Sequence, residues 1–264
     1  MTRSIALTII TCIGLLTCTL LTGCGGGSYS PMWSVMQNGT ILQIGYGQGD
    51  DYPQYAALHL DSGYLRLVPN REASWGTSIV LLPSFWSDGA YYQGAPISCS
   101  YEQQGDQLAL SIESEIGGLS VQGTVTLTPP DEDMLEATVS MQASGQVPVD
   151  SRPGEAFKPV MLSSMHISSD QCDAQSAFVG STGYAIPGSG WILDPPATGT
   201  VFGLLGGTSQ WKTNAPTIEI AFDRSLQVTG WVTDSTDPND DNVGFWCAGD
   251  TVLSSWSYTA TAKP

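Results

Sequence analysis

The chain has 264 residues, with 25 acidic and 8 basic side chains and a formal charge of −17. That balance sets nucleic acid aside as a partner, because phosphate binding needs clustered Lys and Arg. It equally argues against direct attraction to anionic lipid. The length can bury a substantial core as one large β domain or two small ones.

The N-terminus reads MTRSIALTIITCIGLLTCTLLTGCGGGS. Arg3 precedes an apolar run from Ile5 to Leu21 that is diluted by four threonines. The run falls short of the roughly 20 apolar residues a bilayer span needs. It suits an export signal, with a basic start, an apolar middle and a small-residue cleavage site. Leu21-Thr22-Gly23-Cys24 resembles the lipobox of bacterial lipoproteins. The resemblance implies cleavage after Gly23 and acylation of Cys24, which makes the membrane a partner through that residue. Gly25 stands where an Asp would signal inner-membrane retention, so the resemblance implies the outer membrane or the cell surface. Acyl chains contribute about 0.8 kcal/mol per buried methylene, and several on one residue hold a protein stably. The Gly/Ser run after Cys24 reads as a flexible tether. The expected organisation is a signal peptide at 1–23, a lipidated tether at 24–30 and one all-β domain at 31–264.

Period-two alternation dominates the rest. LSVQGTVTLT puts Leu119, Val121, Val125 and Leu127 on one face and Ser120, Gln122, Thr124 and Thr126 on the other. QLALSIESEI, MLEATVSMQA, TIEIAFD, LQVTGWVTD and SWSYTATA behave alike, the pattern of half-buried strands. Gly117-Gly118 predicts a two-residue hairpin, and residues 129–133 predict the next turn, giving a three-stranded meander over 107–143. Asp61-Ser62-Gly63, Gln104-Gly105-Asp106 and Asp223-Arg224-Ser225 predict further tight corners. The expected fold is an antiparallel β-sandwich of two large sheets, with a closed β-barrel as the alternative. Residues 144–157 predict a long crossing between sheets.

Beyond Cys24, the exported part holds Cys99, Cys172 and Cys247. An odd number permits at most one internal bridge, and all three pairings stay open. His59 and His166 are the only histidines. His166 lies near Asp170, Cys172 and Asp173, yet no nucleophile signature surrounds it, and Gly188-Ser189-Gly190 is too compact for a nucleophile elbow. Glu113 and Glu115 share one strand face. They resemble part of the E-x-D-x-E strand motif of laminarinase-like glycoside hydrolases, which implies a nucleophile and an acid. Here Glu115 takes the central Asp position and Gly117 stands where the second catalytic Glu would be. A solvated strand face is the competing reading.

Candidate binding residues are mainly aromatic. Trp75, Trp191 and Trp211 sit beside Gly, Pro or polar residues rather than in alternating core positions. Trp231 is out of phase with Leu226, Val228 and Val232, so its ring should face away from the surface they cover. Exposed flat rings can stack on sugar faces, and aromatic-lined concavities suit small ligands. Arg152 and Lys158 form a local cationic spot that could grip a carboxylate-bearing ligand such as an acidic sugar; an exposed, solvent-screened turn is the alternative. In DSTDPNDDN (234–242), Asp234, Asp237, Asn239, Asp240 and Asp241 offer the oxygens that calcium prefers. The same residues also make any connecting loop. No motif requires a cofactor, and a structural calcium ion there is the one metal the residues suggest. The expectation is a lipid-anchored, non-catalytic envelope protein that binds a ligand, with glycan as the ligand class. The alternatives are a glycoside hydrolase or lyase on the same scaffold, or a structural envelope component.

Overall fold

The computed structural model describes residues 30–48, 52–68, 77–131, 134–146, 157–165, 174–207, 216–233, 242–248 and 252–264. Strands joined by turns and short irregular segments account for these residues, with no helix among them. Alternating apolar and polar side chains can bury one face only by laying it against another sheet face. The first meander runs through β1 (Met32–Asn38), β2 (Ile41–Gly47), β3 (Gln54–His59), β4 (Tyr64–Leu67) and β5 (Thr77–Val80), all antiparallel. A short hairpin follows, β6 (Ser84–Ser87) and β7 (Ala90–Tyr92). The second meander is β8 (Ile97–Gln104), β9 (Gln107–Ile116), β10 (Leu119–Leu127) and β11 (Leu135–Ser144).

The remaining strands tie the meanders together. They are β12 (Phe157–Lys158), β13 (Met161–Met165), β14 (Ala174–Val179), β15 (Thr182–Ala185), β16 (Gly190–Trp191), β17 (Ala197–Gly206), β18 (Thr217–Thr233), β19 (Asn242–Ala248) and β20 (Ser255–Lys263). From β5 the pairing passes to β13, then β19, then the C-terminal half of β18. From β11 it passes to β20 and then the N-terminal half of β18. The long β18 is therefore the shared spine of two arms, and the hydrogen bonding makes one 17-stranded antiparallel sheet. A separate three-stranded sheet joins β12, β6 and β7.

Both arms bury their apolar faces in one cluster. Leu58, Leu65, Ile79, Leu162 and Phe245 come from one side, and Leu110, Val125, Val139 and Tyr258 from the other. At the far rim Trp33 Nε1 donates to the Asp106 carbonyl at 2.7 Å, and Ile97 N donates to the Leu60 carbonyl at 2.7 Å. The molecule thus packs like a sandwich and comes near to closing like a barrel. The all-β antiparallel expectation holds in this form.

Several turns lie where the sequence puts them. Gly117 and Gly118, with φ of 54° and 87°, turn β9 into β10. Positive φ at both central residues matches the right-handed twist of the flanking strands. Asp223-Arg224-Ser225 is a correction. No chain reversal occurs there; β18 runs straight through from Thr217 to Thr233. At this point β18 leaves β20 for β19, while β17 shifts register between Gly199 and Val201 to absorb the extra residues. The polar triplet is a bulge, with Asp223 and Arg224 paired in solvent at 2.9 Å. A bulge and a turn draw on the same residues, and only the non-local partner change separates them. The expected crossing at 144–157 lies largely outside the described residues.

Candidate functional site

Side-chain alternation on the C-terminal half of β18 and on β19 builds the floor of a concavity. Val228, Val232, Val243, Phe245 and Cys247 point into the core. Trp231, Thr233, Asn242, Gly244 and Trp246 therefore fall on the opposite face. Register aligns them into two rows. One passes from Tyr64 through Val80 and Met161 to Trp246. The next passes from Ser163 through Gly244 to Trp231 and on to Trp191. Tyr64, Val80, Met161 and Trp246 make a small apolar cluster separate from the main core.

Trp191 reaches the floor through a tight approach. Gly190, at φ 91°, turns the chain into β16, which pairs with the end of β18. Ile192 N then donates to the Gly230 carbonyl at 2.9 Å, and Thr229 Oγ1 donates to the Leu193 carbonyl at 2.7 Å. The Trp191 and Trp231 rings meet edge to face, with centroids 4.9 Å apart and planes at 84°. Trp191 and Trp246 are 6.3 Å apart.

The small sheet forms a wall. Phe85 and Phe157 are fully buried and in register, and Phe157 sits against Trp256 at 5.9 Å. With those residues turned inward, their neighbours Trp86 and Lys158 line the cavity beside Tyr91. The Lys158 ammonium lies 3.8 Å from the Trp246 ring centroid and 5.4 Å from that of Tyr91. Gln93 Nε2 donates to the Tyr64 hydroxyl at 3.4 Å, and burial raises the Tyr64 hydroxyl above its ordinary pKa. The volume of this open concavity is about 460 Å³. This is within the usual range for small-ligand sites, roughly 300–1,000 Å³. Gln93, Ser163, Thr233 and Asn242 add polar groups between the rings. Among the described residues, none gives the buried Trp246 Nε1 a hydrogen-bond partner.

Three expected binding residues meet here: Trp191, Trp231 and Lys158. Trp231 faces away from the core, as its phase predicts. Lys158 departs from the exposed-turn alternative; it is only 6% exposed, because Phe157 pins the adjacent backbone into the core. Trp75, Trp211 and Arg152 lie outside the described residues, as do Cys24, His166 and Cys172. So do the proposed calcium ligands Asp234, Asp237, Asn239, Asp240 and Asp241, although Thr233 and Asn242, on either side of that stretch, both line the cavity. Among the described residues no three His, Cys, Asp or Glu side chains gather to hold a metal. Glu113 and Glu115 are exposed on β9 and belong to the polar outer face of the second meander, apart from the cavity. His59 is half-buried on β3, where burial lowers its pKa, opposed by Asp61 and aided by Arg66. Cys99 and Cys247 are free thiols, so no bridge joins them.

Sequence reasoning missed Tyr64, Trp86, Tyr91 and Trp246 as lining residues. Trp246 carries a usable signal, since it is out of phase with Val243, Phe245 and Cys247 just as Trp231 is with its neighbours. The other three owe their position to the small sheet and to the β4–β5 pairing, which no local pattern announces.

No protein-family model matches the chain, and no curated protein matches it. Among solved structures, the chain is similar to an Escherichia coli K12 protein described as a "putative aldose 1-epimerase", at 14% identity and a TM-score of 0.34. The match covers 89% of this chain and 99% of that one. At this identity and TM-score it carries no residue or role across to this chain.

Proposed function

We propose that this chain is a lipid-anchored, exported protein that binds glycan in the cavity floored by Trp191, Trp231 and Trp246. The observation that carries the reading is the convergence of three indoles on a concave outer sheet face. Trp191 and Trp231 each remain 41% exposed. Large aromatic surface left open to water in a recess marks a site where a ligand replaces that water. A sugar ring offers an apolar C–H face that stacks on an indole and an equatorial rim of hydroxyls. Gln93, Ser163, Thr233 and Asn242 are the groups that would take those hydroxyls. The described lining contains no carboxylate.

The lipid anchor in this proposal rests on Leu21-Thr22-Gly23-Cys24 alone. Metabolic labelling with a palmitate analogue tests it, with incorporation expected for the parent and lost for Cys24→Ala. Glycan binding is tested by an array and by pull-down on insoluble polysaccharides, comparing the parent with Trp191→Ala and Trp231→Ala. Retention that both substitutions weaken is the expected result. Indifference of the parent to every glycan removes the proposal.

A further inference from the structure

The outer edge of β8 is open. Among the described residues β8 pairs with β9 alone, over 8 residues in unbroken register. Ile97 N donates to the Leu60 carbonyl, so it points away from β9. Backbone groups alternate between the two sides of a strand, so the N–H and C=O of Cys99, Tyr101 and Gln103 face that same open side. An edge is usually blunted by Pro, Lys or a bulge. β8 has none of these, and Glu102 is its only charged residue. Tyr101 is in phase with the core-facing Ile97, yet on this open rim it stays 52% exposed.

The sheet face beside that edge is acidic. β8 through β11 carry no Lys, Arg or His. Glu102, Glu113 and Glu115 are all exposed there, and Ser98 is in register with Glu113. Ser98, Glu113, Ser114, Glu115, Ser120 and Gln122 line an open concavity of about 470 Å³. A strand added to β8 would run about 10 Å from β9, two strand spacings away. Ser98 is short enough to leave that gap clear. A Lys or Arg stem on the added strand can lie across it and bring its charge to the two carboxylates.

From these features we infer that the β8 edge docks an extended, basic segment of another polypeptide, added as one more strand. Backbone bonds to Cys99, Tyr101 and Gln103 supply the attachment. Basic residues at alternate positions fall on the face of Glu113 and Glu115, and apolar residues between them cover Tyr101 on the other face. A second copy of this chain fits less well. Its own β8 brings Glu102 and no basic residue to the seam, and like charges across strands repel. The edge is apart from the aromatic cavity, and the inference stands without the glycan reading.

The test is fluorescence anisotropy of short labelled peptides titrated with the full chain. A peptide of alternating Lys and Val is expected to bind about tenfold or more tightly than one of alternating Glu and Val. It should lead by a similar factor over a peptide with the same Lys and Val grouped in two blocks. N-methylation of every Val amide, or of every Lys amide, blocks one edge of the peptide at a time. One set should abolish binding and the other should leave it. Tyr101→Pro removes an outward N–H that β9 does not use and should abolish binding too. The double variant Glu113→Gln, Glu115→Gln should weaken it about tenfold, and added salt should also weaken it. No binding of the alternating peptide would overturn the inference. Equal binding of the two-block peptide, or the same result from both methylated sets, would do so as well. A dimer of the chain alone that Tyr101→Pro dissolves would assign the edge to a second copy and overturn it too. A thermal melt checks that Tyr101→Pro folds; if it does not, the methylated peptides on the parent protein decide.

Discussion

Trp191 and Trp231 are register partners across β16 and β18, and their rings meet at 84° with centroids 4.9 Å apart. The pair forms a corner, one ring a platform and the other a side wall. Such contacts are worth about 0.5–1.5 kcal/mol beyond burial. Because each ring is still 41% exposed, most of its value is expected in binding. Trp231→Ala should weaken glycan affinity about tenfold or more, with a modest change in melting temperature. The double substitution should cost less than the sum of the singles, since each removes half of one corner. Titration of the four proteins in a double-mutant cycle measures the coupling.

Gly244 opens the floor between Ser163 and Trp231. An added Cβ would meet the Trp246 ring at 3.2 Å and Met161 Sδ at 3.4 Å, a tight yet adjustable contact. Gly244→Val would extend further into the recess. The expected outcome is loss of glycan binding with secondary structure retained by circular dichroism. Parent-like affinity in a folded Gly244→Val would show that the ligand does not use this floor.

Gly117 connects the hairpin between β9 and β10 to the cavity wall. At φ 54° an added Cβ would lie 2.8 Å from the Tyr92 ring and 2.9 Å from the Phe85 ring. Left-handed backbone in a non-glycine residue costs about 1–2 kcal/mol before any clash. Gly39, at φ 61° with nothing within 4 Å, supplies the control. Gly117→Ala should lower the melting temperature clearly more than Gly39→Ala. It should also weaken glycan binding, because Phe85 carries the sheet that presents Trp86 and Lys158. Equal melting temperatures for the two variants would contradict this packing.

Burial pushes the Cys247 thiol up to about 12, from an ordinary 9.0. Burial also raises the Tyr258 hydroxyl well above its ordinary value, and Cys247 adds to that rise. In both cases the folded state holds its proton to higher pH than the unfolded chain does. Their contribution to stability is therefore whole below about pH 9 and is lost as pH rises toward 12. Each tenfold difference in proton affinity between the folded and unfolded chain corresponds to about 1.4 kcal/mol. Urea midpoints should fall steadily above about pH 9, and Cys247→Ala should flatten part of that slope. A thiol reagent at mildly alkaline pH should leave Cys247 unmodified until the protein is unfolded. A midpoint that holds level through the alkaline range would overturn this account of the core.

Alternation carried much of the fold in plain view. The meander from β9 to β11, its Gly117-Gly118 turn and the outward phase of Trp231 all follow from a two-residue period and turn chemistry. Local pattern cannot carry a strand that changes partners. Asp223-Arg224-Ser225 reads as a corner because a bulge uses the same polar residues, and the continuity of β18 depends on β19 and β20 approaching from elsewhere. The site divides the same way. Trp246 could have been found by the phase argument that found Trp231. For Lys158 the sequence leaves both a binding role and an exposed turn open, because its burial depends on Phe157 meeting Phe85, a pairing between residues far apart in the chain.

The most direct measurement is an indole-resolved NMR titration, since all eight tryptophans report individually. Saturating a glycan that binds should shift the Nε1–H resonances of Trp191, Trp231 and Trp246, with Trp86 following at the wall. Trp33, bonded to Asp106 across the rim, and Trp256, buried beside Phe157, should stay in place. Binding that leaves Trp191, Trp231 and Trp246 unmoved would place the ligand elsewhere and contradict the account.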